Sequence, residues 1–111
     1  MKLRDLDTPS EREIRRLVTL AHERGLLQHL DKLETAFAAW RAGGMTALAL
    51  TDRINSFHDG PARTLSKQYI PNNSTTALGH AVMAGLISDS EIPSELKGEL
   101  AIVVSVLKFK K

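Results

Sequence analysis

The chain is predicted to be all-α, a single-domain bundle of about five to six helices. Three observations predict this. Apolar residues recur at steps of three and four through most of the sequence, the period of one helix face. Most Gly and Pro residues fall between those stretches and so mark their ends. The single β-branched run, Ala101-Ile102-Val103-Val104, has no second run to pair with, and an isolated strand is not stable in water. At 111 residues the chain is one domain, spanning 1–111, that can bury roughly two thirds of its unfolded surface around one core.

Residues 1–7 read as an extended lead-in. Thr8-Pro9-Ser10-Glu11 is a helix start: Thr8 caps, Pro9 takes the first helical position and Glu11 reaches back. Ile14, Leu17, Val18 and Ala21 then share a face, with the arginines mostly opposite. That phase does not continue past Gly25. Extended onward it reaches Gln28 and Lys32, whereas the apolar residues are Leu26, Leu30, Leu33, Phe37 and Trp40. One long kinked helix through Gly25 is the alternative, but this disagreement of phase favours a break or strong phase shift there, with a second helix from Leu26 that ends at Gly43-Gly44. Its five apolar residues alternate in steps of four and three, the narrow seam of a helix lying along another helix.

Thr46 caps a third helix whose buried face is Ala47, Leu50, Ile54 and Phe57. This helix should end near His58. Gly60-Pro61 then opens a short helix to about Tyr69, with Asp59 or Gly60 as its cap. Ile70-Pro71-Asn72-Asn73 is a loop, and Asn73 or Ser74 caps a helix that runs to about Gly85. Residues 86–93 turn. Ser94 starts a last helix with Leu96, Leu100, Val103 and Leu107 in phase, so 99–109 is read as helix and not strand. Gly98 costs that helix about 1 kcal/mol against Ala.

Composition removes several classes of function. There is no cysteine, so disulfides and thiolate metal sites are excluded. His22, His29, His58 and His80 form no metal-ligand spacing, and no metal or cofactor is expected. No P-loop, dinucleotide pattern or nucleophile elbow occurs, which argues against an enzyme. No apolar core segment follows Met1 and no apolar run approaches a membrane span, so a cytoplasmic protein without membrane attachment is expected. A net charge of +2 is a weak footprint for nucleic acid. Leu50 to Ile87 can be fitted to a helix-turn-helix outline, but no Lys or Arg falls between Lys67 and Lys97. Phosphate contacts dominate such binding, so nucleic acid is not the expected partner.

Two constellations remain. His58, Asp59 and Arg63 fall within one turn of the Gly60-Pro61 corner. With Tyr69 as a wall they would bind an anionic ligand, His58 titrating near neutral pH and Arg63 holding the anion. The second is the Leu26, Leu30, Leu33, Phe37 and Trp40 seam, an interface for a homodimer or another protein partner, since aromatic residues are enriched in such patches. The opening Thr8-Pro9-Ser10-Glu11, the long helices and Tyr69 near the midpoint resemble the layout of small bacterial helical regulators such as the fluorescence recovery protein family. The aromatic and basic motifs of that family are absent, and no functional residue carries over. The sequence thus points to a small non-catalytic interaction or regulatory protein that self-associates through Leu26–Trp40. A ligand-binding or catalytic role at the His58–Arg63 corner is the alternative.

Overall fold

The computed structural model describes residues 9–69 and 75–109. Among them every regular element is helical: α1 (Pro9–Arg41), α2 (Ala47–Phe57), a π turn (His58–Ala62), α3 (Arg63–Tyr69), α4 (Thr75–Met83), a 3-10 turn (Asp89–Glu91) and α5 (Ser94–Phe109). Because α2, the π turn and α3 run on without interruption, these make four helical rods rather than five or six. Both missing breaks have a physical cause.

The first is at Gly25, which lies inside one helix of 33 residues, about 50 Å long. The apolar phase does shift there, but no break is needed, because different partners lie on different sides of the same rod. Before Gly25, α1 buries Ile14, Leu17, Val18 and Ala21 in the main core. Beyond it, only Ala36 is buried. Gly25 allows close packing at the changeover. A Cβ there would stand 2.9 Å from Leu65 Cδ2 and 3.6 Å from Leu86 Cδ1, so a side chain would push α3 and the 86 turn away.

The second is at Gly60-Pro61. Proline in an α-helix has no N–H to donate, and its ring strikes the carbonyl four residues back. The chain widens by a π turn, whose hydrogen bonds span five residues, and Pro61 sits within a continuous rod. Asp59 and Gly60 are therefore inside this rod and do not cap a new helix.

Other ends follow the sequence reading. Gly43 takes φ +86, with Gly43 N–H donating to Trp40 O at 3.1 Å and Gly44 N–H to Ala39 O at 2.8 Å. That is the left-handed C-terminal cap that a glycine makes cheaply. Thr46 caps α2 by accepting from Ala49 N–H at 3.0 Å. Gly85 repeats the glycine cap after α4, and the Leu86 that follows is buried. Residues 99–109 are helix. The expected caps at Thr8 and at Asn73 or Ser74, and the 70–73 loop, lie outside the described residues. On α2 only Leu50 is buried; Phe57 is half-buried, and Ala47 and Ile54 are exposed.

Among the described residues the core gathers Leu17, Val18, Leu78, Ile87, Leu96 and Leu100 with Tyr69, from α1, α3, α4, the turn after α4 and α5. α1 packs on α2, α3 and α4, and α4 packs on α5. The radius of gyration is 17.7 Å, against about 13 Å for a compact domain of this size. The far half of α1 and α2 pair as a two-helix arm whose buried residues, Ala36 and Leu50, lie outside that core.

One polar cluster ties α1 to the turn before α5. Arg24 donates to Leu86 O at 2.7 Å and to both carboxylate oxygens of Glu91, at 2.9 and 2.7 Å. Glu91 also accepts from Ser88 N–H at 2.9 Å. The Arg24 bonds, then the Ser88 N–H, hold the Glu91 carboxyl down to about 2. A depressed carboxylate stabilises the fold above its unfolded value and loses that contribution as pH falls through the folded one. Stability is therefore expected to decline between about pH 4.5 and pH 2. Glu91→Gln should be less stable at pH 7 and show a flatter decline over that window in urea titrations.

Candidate interaction face and adjoining clefts

The arm carries the seam that the sequence singled out. Leu26, Leu33 and Phe37 are half-buried, while Leu30 and Trp40 are exposed at 46% and 38%. One flank of the seam is covered by α2, and the rest faces outward. Leu27, three residues before Leu30 and so adjacent on the helix, is 55% exposed; on α2, Leu48 is 80% and Ile54 is 37% exposed. Against this bare surface the arm buries only Ala36 and Leu50. At its tip, Phe37 and Trp40 meet edge to face at 6.3 Å, and the Arg41 guanidinium lies 5.7 Å from the Trp40 ring centre. These contacts order a broad aromatic end without removing it from water.

The His58 corner assembles in part. His58 Nδ1 and Asp59 Oδ1 are 3.2 Å apart, and Arg63 reaches the same oxygen at 3.8 Å. All three side chains are well exposed, an arrangement of surface pairs in water. Tyr69 does not wall this corner. It is 4% exposed, packs 6.2 Å from the His22 ring, and has its phenol pushed upward by burial. It lines instead a groove of about 390 Å³ between α1, α3 and α4, together with His29 and His80; His58, Asp59 and Arg63 do not line that groove.

Sequence reasoning missed three features. Arg24–Glu91 joins residues 67 apart, and neither position hints at the other. His22 Nε2 is buried without a hydrogen-bond partner among the described residues. A cleft of about 200 Å³ opens where α1 crosses α2 and the π turn, lined in part by His29, Lys32 and Arg53. The only sequence signal for the cleft was that His29 and Lys32 share a helix face with Leu33 and Ala36. Its meaning required the pairing of α1 with α2.

Among the described residues, no group of three or more His, Asp and Glu side chains is placed to hold a metal ion. No described helix is long and apolar enough to cross a membrane. Fold and surface together define an all-α chain with a small core and a protruding, apolar two-helix arm. No protein-family model, curated protein or solved structure matches it, so the likeness in layout to the fluorescence recovery protein family carries no argument.

Proposed function

We propose that the protein is a non-catalytic helical interaction protein that self-associates through its arm, the Leu26–Trp40 face of one copy against that of another. The observation that supports this reading is the imbalance of the arm. The two helical segments of the arm bury only Ala36 and Leu50 and leave Leu27, Leu30, Trp40, Leu48 and Ile54 in water. A helical hairpin of this kind completes a core by packing on a second hairpin, the geometry of a four-helix bundle. Fully burying one leucine contributes about 1.5–3 kcal/mol, so a few such residues are enough to drive pairing. The 4-3 spacing suits the shallow crossing of that packing.

Light scattering after size-exclusion chromatography tests it. The expected mass is twice 12.2 kDa at micromolar concentration. Leu30→Glu should return a monomer with unchanged helix content, and Trp40→Ala and Phe37→Ala should weaken pairing. Ile102→Glu, on the exposed side of α5, serves as the control and should leave the dimer intact. A monomeric wild type at high micromolar concentration, or a dimer that survives Leu30→Glu, would remove this reading.

A further inference from the structure

The cleft between α1, α2 and the π turn combines two kinds of surface. It is lined by the apolar Leu33, Phe57 and Pro61 and by the polar His29, Lys32, Arg53 and Ser56. No carboxylate lines it. Neither Lys32 nor Arg53 makes an ion pair within the described residues, although other cations of the chain do: Arg16 with Glu13, Arg24 with Glu91, Arg63 with Asp59 and Lys97 with Asp89. The hairpin thus brings together two unpaired cations from different helices, beside a half-buried imidazole and apolar side chains. The π turn contributes Pro61 and the end of α2 contributes Phe57, so the widened backbone shapes one wall. Such turns occur frequently at functional sites.

From this arrangement we infer a binding site for small amphiphilic anions. The acidic head, a carboxylate or a phosphate, lies between Lys32 and Arg53, with Ser56 and His29 as further hydrogen-bond donors. A short hydrocarbon or a single ring lies on Leu33, Phe57 and Pro61. Volume limits the occupant, because a cavity of about 150 Å³ holds one benzene ring. The guanidinium suits a two-oxygen head, which it can grip with paired N–H groups. The cleft forms within one chain but shares Leu33 with the pairing face, so anion shifts that persist in the monomeric Leu30→Glu variant separate this inference from pairing of the arms.

Nuclear magnetic resonance titration of the full chain tests it with four probes: phenyl phosphate, benzoate, inorganic phosphate and benzyl alcohol. Phenyl phosphate or benzoate should give saturable shifts at His29, Arg53 and Phe57, and whichever binds more tightly identifies the head. Inorganic phosphate and benzyl alcohol, each carrying half of the chemistry, should bind at least about tenfold more weakly. Arg53→Gln and Lys32→Gln, both at exposed positions, should each weaken the better anion about tenfold or more, the scale of one charge-assisted hydrogen bond. The inference is overturned by any of three results: no saturable shift with either aromatic anion, wild-type affinity in both variants, or inorganic phosphate or benzyl alcohol binding as well as the combined probe.

Discussion

Leu78→Ala is expected to lower the unfolding free energy by about 3–4 kcal/mol, among the largest effects of any single truncation in this chain. Leu78 is fully buried on α4, where the core that reaches α1 on one side meets α5 on the other. Removing its isobutyl group takes away transfer free energy and leaves a void, because neighbours in a close-packed core relax only in part. Few other residues can fill that void. The core is built from side chains no larger than Leu and Ile apart from Tyr69, so no flexible aromatic ring can swing in. Domains of this size have only about 5–15 kcal/mol in total, so the loss is a large share. Urea denaturation followed by circular dichroism measures it. Leu48→Ala, at 80% exposure, is the matched control and should stay within about 0.5 kcal/mol.

Gly79→Leu should cost about 3 kcal/mol for the opposite reason, too much volume. α4 and α5 meet most closely at Gly79, where a Cβ would stand 3.0 Å from Val103 Cγ1 and 3.1 Å from Leu107 Cδ1. Val103 is β-branched and stiff, so it has little room to turn aside. Alanine is the informative comparison. Its methyl needs a shift of a few tenths of an ångström, while helix propensity returns about 1 kcal/mol, so Gly79→Ala should lie near neutral. Leucine adds three further carbons with nowhere to go, and α5 must move off α4. Equal stability of the two variants would mean that α5 does not pack in this register.

The all-α class, the helix end at Gly43-Gly44, the Thr46 cap and the helical nature of 99–109 were legible in the sequence, because each rests on local chemistry. The misread points were non-local. A change of apolar phase at Gly25 looked like a break, since the sequence does not reveal that α3 and the 86 turn press on that glycine. Gly60-Pro61 looked like a stop because a π turn has no sequence signature of its own. The candidate residues divided in the same way. His58, Asp59 and Arg63 meet because they are near in sequence, while Tyr69 is buried in the core among residues distant in sequence. The cationic cleft was invisible until a helix hairpin had brought Lys32 and Arg53 to line one cleft.

The unbroken helix at the start of the fold has a geometric consequence. Its part beyond Gly25 is 16 residues, a rigid rod of about 24 Å. When two copies lie side by side along that rod, head-to-tail alignment sets their cores at opposite poles, tens of ångströms apart, and like-ended alignment sets them shoulder to shoulder. In such a pair the rod would act as a spacer bar, and the direction in which the copies align would decide whether anything held by the two cores is kept separate or brought together.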